Sequence, residues 1–424
     1  MRFNTLPQWL DWLEVTHPLK IDLGLERVAG VASKMELLKP QATVITIGGT
    51  NGKGSSVSLF ESIFNSAGIS YGSYTSPHVH QFNERIRLNS EPVSDQQIMQ
   101  AFAAIDLARG ETSLSYFEFS TLAALYLVQQ ANVEVILLEV GLGGRLDATN
   151  IIDTDIALIT NIALDHMHFL GDTVELIAVE KAAIARRGKP MICAATQVTP
   201  VLAREAKKHG ARFIQAGVDY TIKINDDDWQ WQSQEEHYQL PPPGLQGRHQ
   251  YDNAAGVIAA LQYLPNELQP NLEFISQGLA DLNLPGRFER HQLDYEVIFD
   301  VAHNPHSALA LAENLKQLEP KTTHILLGIL ADKDYRGLVT ALGSVAEYWH
   351  LSSAQVERAL EVENLEKSVL QIEPDAHIHC YPSLVDAWKH LNTTLGSDER
   401  LIVTGSFHTV DEVRRHLNVA ELSS

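Results

Sequence analysis

Residues 43–67 read TVITIGGTNGKGSSVSLFESIFNSA, and the fold is decided there. Residues 43–47 are a β-branched run of strand length, as a buried strand requires. Gly48 and Gly49 interrupt it. From Lys53 onward Val57, Phe60, Ile63, Phe64 and Ala67 recur at helical spacing, and Gly68 supplies a stop. Strand, glycine-rich turn and helix together aim unpaired backbone N–H groups at a phosphate. Gly49, Gly52 and Gly54 let the backbone approach closely, with Thr50 and Asn51 between them. Lys53 adds positive charge for β/γ-phosphates, and Ser55 offers a hydroxyl to Mg²⁺. The string departs from G-x-x-x-x-G-K-[ST], because Ile stands at position 47 and Gly54 follows the lysine. A bare tight turn is the alternative. The agreement of strand, lysine, hydroxyl and helix favours phosphate.

Composition sets the frame around this element. At 424 residues the chain exceeds one ordinary core, so two domains are expected. Hydrophobic content of 45% with 20% charged residues describes a globular, soluble protein. Lys+Arg 32 against Asp+Glu 53 gives 32 − 53 = −21. That field repels nucleic acid and anionic membrane, so neither is expected as a partner. It also repels ATP, whose site therefore needs local cations or a metal. Two cysteines, Cys193 and Cys380, make no disulfide framework and fit a reducing compartment. No apolar span of about 18 residues occurs and the N-terminus has no signal-peptide pattern, which makes the cytoplasm the expected location.

Further candidates lie at the ends of other strands. After a strand reaching Tyr74, Ser76 precedes Pro77 and is held extended. It is a turn residue or a Mg²⁺ ligand through its hydroxyl. VEVILLEV at 133–140 fits a central parallel strand that closes on Glu139. A carboxylate there sits where doubly wound sheets bind ligands, which favours Mg²⁺ over a merely solvated acid. Residues 155–160 form another buried strand, followed by NIALDHMHFLG with Asp165, His166 and His168. On a strand the two histidines would share a face, but Mg²⁺ prefers oxygen, so alone they say little. TVELIAVEKAAIARRG reads as a helix with Lys181 in its middle, by default a solvated lysine.

The remainder of the first domain carries less chemistry. Residues 1–40 read as one or two helices around Trp9, Trp12 and Leu13, and 114–130 as a helix on which Phe117 and Phe119 look like core. Residues 190–245, with Trp229 and Trp231, read as an edge sheet of the first domain, and GLQGRHQYDN opens a helix with Asn253 on its first turn.

A hinge is expected at LPGRFERHQLD, 284–294, where Pro285 and Gly286 break structure. Beyond it, YEVIFD-VAHNP, HILLGIL-ADKD and LIVTGS-FHTV repeat one strand–loop design. Their polar ends, with Asp300, His303, Asn304, Lys333 and Ser406, mark where a site belongs. The expected fold class is α/β. An N-terminal phosphate-loop ATPase-like domain with a mostly parallel sheet (1–286) precedes a smaller C-terminal Rossmann-like α/β domain (287–424).

GTNGKGS followed by YTSPHVHQFNERI resembles folylpolyglutamate synthase, including the bifunctional bacterial form that is also dihydrofolate synthase. That family belongs with the Mur-type ATP-dependent amide ligases, and the resemblance runs nearly end to end. It implies ATP and Mg²⁺, with Ser55, Ser76, Glu139 and His166 at the metal, and Lys53 and His166 in the chemistry. It puts IDLGLERV, with Leu23 and Gly24, together with Ser115, Phe117, Asp147 and Ala148 against the pteridine-bearing substrate. Asn253 would meet adenine, and Arg287 and Asp300 the nucleotide. His303, Lys333 and Ser406 would face substrate on the glutamate side.

Glu139 to His166 is 27 positions and His166 to Lys181 is 15, which resembles the family's spacing to a carbamylated catalytic lysine. The implied reaction makes an acyl phosphate of dihydropteroate or a reduced folate, which L-glutamate then converts to an amide. LDATN resembles the bifunctional branch, and a monomer is expected. Two readings stay open beside this one, a Mur-type ligase acting on another precursor and a phosphate-loop regulatory ATPase without ligase chemistry.

Overall fold

The turn at residues 48–52 joins the central region of a sheet to the helix behind it, in a computed structural model that describes residues 2–19, 22–196, 200–356 and 358–417. The sheet has eight strands: β1 Thr43–Gly48, β2 Tyr71–Tyr74, β3 Ile86–Leu88, β4 Glu91–Pro92, β5 Val135–Glu139, β6 Ile156–Ile159, β7 Pro190–Cys193 and β8 Arg212–Gln215. Their order is β4-β3-β2-β5-β1-β6-β7-β8. The six strands from β2 to β8 pair in parallel, while β3 and β4 add an antiparallel edge. The central strands β5 and β6 are buried at every position, as strands covered on both faces must be.

Helix Lys53–Ala67 begins after Gly52 at φ 84 and ends at Gly68 at φ 70. Only glycine adopts that left-handed geometry without cost. Helix Tyr116–Gln130 starts on a capping box between Ser115 and Glu118. Its buried face, with Phe119 and Leu122, meets Trp9, Val28 and Phe102 in one cluster. Trp9 and Val28 come from the helices Leu6–Val15 and Glu26–Lys34. Each such fully buried side chain contributes about 1.5–3 kcal/mol, so Phe119→Ala would cost about 3–5 kcal/mol.

Residues 190–245 depart from a single edge sheet. Two of their strands, β7 and β8, extend the main sheet, each pairing in parallel with its neighbour. The others, β9 Tyr220–Ile224, β10 Trp229–Ser233 and β11 His237–Leu240, make a separate antiparallel sheet. Trp229 and Trp231 are its buried anchors, donating to Pro241 O at 2.8 Å and Ala255 O at 3.1 Å.

The chain divides into two compact units, Met1–Gly244 with Gln250–Leu282, and Leu245–His249 with Asn283–Ser424. The second unit has one six-stranded sheet: β12 Glu289–Gln292, β13 Glu296–Phe299, β14 Thr322–Leu327, β15 Tyr348–Leu351, β16 His377–Cys380 and β17 Glu399–Thr404. The order is β12-β13-β17-β14-β15-β16. The three strands singled out in the sequence, β13, β17 and β14, are therefore direct neighbours, all parallel. Cys193 and Cys380 are free thiols. No described helix is long and apolar enough to cross a membrane.

Candidate active site

Four candidate metal ligands arrive from four adjacent parallel strands. Ser76 follows β2, Glu139 ends β5, Ser55 follows β1 through the glycine turn, and His166 follows β6. Register fixes part of this arrangement, since Glu139 pairs with Ile47 and Val140 N donates to Ile47 O at 2.9 Å. Ser76 N donates to Glu139 Oε2 at 3.1 Å, which ties the serine loop to the strand-end acid. Among the described residues, no three or more His, Cys, Asp or Glu side chains are grouped to hold a metal. Two serine hydroxyls and one carboxylate are oxygen donors of the kind Mg²⁺ takes, beside waters and phosphate oxygens.

The turn has the shape of a phosphate cradle. A Cβ on Gly49 (φ 144) would lie 1.8 Å from Thr160 Oγ1, and one on Gly52 would lie 2.5 Å from Asn253 Oδ1. Only bare backbone fits at both places. The segment after β6 acts as a template for the turn. Thr50 N donates to Asn161 O at 3.0 Å, Asn51 N to Asn161 Oδ1 at 2.9 Å, and Thr160 Oγ1 to Asn51 O at 2.6 Å. Thr50 Oγ1 accepts from Ala163 N at 3.0 Å. Two of the turn's N–H groups are thus committed to its shape, and those at the start of the helix after Gly52 face the phosphate role. Gly54 and Ser55 lie in that first turn, with Ser55 buried.

Lys53 Nζ donates to Gly49 O and Thr50 O, each at 3.1 Å. Lys181 Nζ reaches the same Gly49 carbonyl at 2.9 Å. Lys181 differs from its expected setting. It stands in the last turn of helix Val174–Ala182 and is buried. The helix ends at Ala182 instead of running on through AIARRG. Burial pulls the Lys181 ammonium down to about 7, Lys53 pushes the same way, and Asp165 opposes them. The Asp165 carboxylate accepts from His166 N at 2.8 Å. His166 takes φ 50 as N-cap of the short helix Met167–Leu170. His166 and His168 are therefore not on one strand face, because the chain turns sharply between β6 and this helix. Asn253 lies in the second turn of helix Arg248–Leu261, since that helix starts at Arg248. It is buried against Gly52 and donates to Gln250 Oε1 at 3.1 Å.

The pteridine candidates form a second group. Phe117 packs 5.9 Å from Tyr74 between ring centroids, and a Cβ on Gly141 would meet its ring at 2.5 Å. Asp147 is buried in the same loop. Burial pushes its carboxyl up, opposed by hydrogen bonds from Thr149 and the Leu142 amide. Ala148 is buried beside it. The hydroxyl of Ser115 accepts from Glu118 N at 3.3 Å. Leu23 and Gly24 lie just before helix Glu26–Lys34. They are strapped to that cap, because Arg27 holds Asp22 at 2.7 Å and Glu118 at 3.1 Å.

In the second unit the polar strand ends converge. Gly405 N donates to Ala302 O at 3.0 Å, and Thr409 Oγ1 to Gly328 O at 2.6 Å. Half-buried Asp300 accepts from Phe288 N and Ala302 N, each at 2.9 Å. Burial raises its carboxyl and Arg287 counters this. The Arg287 guanidinium lies 5.1 Å from the Phe407 ring, which is also 6.0 Å from His303. Ser406 caps helix Phe407–Arg414 and bonds Thr409 Oγ1 at 2.8 Å. Lys333 is half-buried in the loop before helix Tyr335–Leu342. Thr160, Asn161 and Phe407 escaped the sequence reading. The first two sit just past a strand end and were visible only as a position.

Comparison with known proteins places this geometry. The Mur ligase middle domain matches residues 47–261, and the Mur ligase, glutamate ligase domain matches 286–407. The "Dihydrofolate synthase/folylpolyglutamate synthase" of Escherichia coli (strain K12) is 40% identical over 412 residues, covering 97% of this chain and 95% of the relative. The chain belongs to the dihydrofolate synthase/folylpolyglutamate synthase family. As a member it is an ATP-dependent ligase of the Mur type. One family structure, E. coli FolC in complex with DHPP and ADP, superposes with TM-score 0.92 at 38% identity, covering 97% of both chains. Another, a bifunctional folylpolyglutamate synthase/dihydrofolate synthase with Mn, AMPPNP and L-glutamate bound, gives 0.89 at 38% identity, covering 98% of each.

Proposed function

We propose that this chain adds L-glutamate to dihydropteroate and to reduced folates, consuming ATP, as a cytoplasmic monomer. The observation that carries the reading is the shared Gly49 carbonyl. It brings Lys53 and Lys181 to one turn, beside the strand-end acid Glu139. Family structures with DHPP and ADP, and with Mn, AMPPNP and L-glutamate, support the substrate set.

In this reading the first-turn amides after Gly52 bind phosphate, and Lys53 leaves its loop carbonyls for the β/γ-phosphates. Asn253 lies toward the adenine. Ser55, Ser76, Glu139 and His166 hold Mg²⁺, which when bound neutralises charge on the transferring phosphoryl group. Leu23, Gly24, Ser115, Phe117, Asp147 and Ala148 seat the pteridine. A substrate carboxylate oxygen attacks the γ-phosphorus, giving an acyl phosphate and ADP. The glutamate amine, losing a proton, attacks the acyl carbon and releases phosphate. Arg287 and Asp300 serve the nucleotide, and His303, Lys333 and Ser406 the glutamate side, so that 287–424 supplies the second half of the chemistry. Positioning and charge neutralisation carry the rate.

Lys181 is read as the carbamylated lysine. With its ammonium drawn to about 7, about three-quarters of the amine is neutral at pH 7.5, against about one part in a thousand for an ordinary lysine. The neutral amine adds CO₂ and loses a proton, so a repelling cation beside Mg²⁺ becomes an anion.

The test is incubation with ATP, glutamate and either dihydropteroate or tetrahydrofolate, with product masses read directly. Glutamate-dependent mass gain on both acceptors is expected. Extension of neither, or ATP turnover indifferent to glutamate, rejects the reading.

A further inference from the structure

We propose that Arg186 is a positioning residue that clamps the substrate loop at 141–152 onto the end of the Lys181 helix, making pteridine and nucleotide sides one mechanical unit. The inference rests on the role given above to Asp147, Ala148 and Lys181. In the sequence Arg186 stands beside Arg187. In the structure its guanidinium is three-quarters buried and fully engaged. One edge takes carbonyls of the C-cap and the turn just past the helix, Ala183 at 3.3 Å, Ile184 at 3.1 Å and Ala185 at 3.3 Å. The other edge takes Asn150 O at 2.9 Å, Asn150 Oδ1 at 3.0 Å and Ile152 O at 3.1 Å, all on the substrate loop. Nε meets the exposed carboxylate of Asp153 at 2.5 Å.

Two independent features show that the seam is built for contact. A Cβ on Gly144 would stand 2.6 Å from Glu180 O and 3.1 Å from Lys181 Cα, so the loop backbone lies directly on the lysine's own turn. Asn150 Nδ2 and Arg145 N tie the loop back, to Ala183 O at 3.3 Å and Glu180 O at 2.9 Å. At the far end of Lys181, Nζ holds Gly49. A continuous line thus runs from Asp147 through the clamp to the phosphate turn. A planar fork of five N–H donors can serve both edges at once. A lysine in its place keeps the charge at the helix end but presents a single point of contact.

Stability alone would be served by any cation at this helix terminus, whereas a clamp makes the two ligands feel each other. The experiment measures dihydropteroate Kd by calorimetry with and without AMPPNP–Mg²⁺, in wild type, Arg186→Lys and Asn150→Ala. The expected wild-type ratio of the two values is about 5-fold or more. In both variants it collapses toward one, while the Kd for AMPPNP measured alone stays within about two-fold. A wild type whose two ligands bind independently overturns the clamp, as do variants that keep the wild-type ratio. If Arg186→Lys fails to fold, Asn150→Ala decides from the loop side. A wild type that binds AMPPNP but no dihydropteroate rejects the proposed substrate, and the clamp with it.

Discussion

Replacing Lys181 with methionine should make the free protein more stable while abolishing its activity, and the size of the gain should follow pH. In the unfolded chain the amine takes up its proton near the ordinary 10.5, in the folded protein near 7. Between those values the unfolded chain holds the extra proton, so lowering the pH across that window favours unfolding. Below about pH 7 both states are protonated and the whole penalty is present. The gap is worth roughly 5 kcal/mol. Methionine removes that penalty and loses the hydrogen bond to Gly49 O, worth about 1 kcal/mol. Partial relaxation around the buried ammonium trims the balance, leaving a net gain of roughly 2–4 kcal/mol at pH 6.5. By about pH 10 little remains, because the unfolded amine is then close to its own pKa and giving up its proton on folding costs little. The assay is thermal and denaturant unfolding of wild type and Lys181→Met in CO₂-free buffers from pH 6.5 to 9.5, following the first unit's transition. A variant less stable than wild type at pH 6.5, or a difference that does not change with pH, would refute the buried, depressed amine.

Lys53→Ala and Glu139→Ala should each lower kcat by two to three orders of magnitude, as loss of a charge contact of about 3–4 kcal/mol implies; near-normal turnover in steady-state assays removes the proposed role. Gly49→Ala should abolish AMPPNP binding, since its Cβ would collide with Thr160 Oγ1, and Thr160→Ala in the same chain should recover part of it; calorimetric binding by the single variant argues against the cradle. Lys181→Ala should be severely impaired and partly rescued by a short carboxylic acid in the medium, whereas full activity without additive dismisses the carbamate. One purified protein should glutamylate both acceptors, and a preparation that extends tetrahydrofolate but never converts dihydropteroate disproves the dual activity.

What was legible in the sequence was whatever depends on neighbours along the chain. The turn at 48–52 announced itself through glycines, a lysine and two flanking periodicities, all within 25 residues. Glu139 was visible because an apolar run stops on one acid. The three polar strand ends of the second unit were readable for the same reason, and the sheet sets them side by side. Contacts between distant segments were not readable. Thr160 and Asn161 shape the turn from about 110 positions away, and nothing local distinguishes them from any strand-end pair. Lys181 looked solvated because lysines on helices usually are. Its burial follows from the glycine seam at Gly144 and an early helix end, neither of which leaves a periodic trace. Residues 190–245 read as one edge sheet, because local pattern does not say which sheet a strand joins.

The large sheet stops at β4, two exposed residues, Glu91 and Pro92, paired to Leu88 and Arg87. An open sheet edge is a template on which a stray strand from another molecule can add. Here the template is about 7 Å long, one of its two positions has no N–H to offer, and the other carries a negative charge. With a net charge of −21 on the molecule, self-repulsion acts before edges can meet. At this edge a two-residue strand, the shortest among the described residues, thereby leaves a stray strand almost nothing to add to.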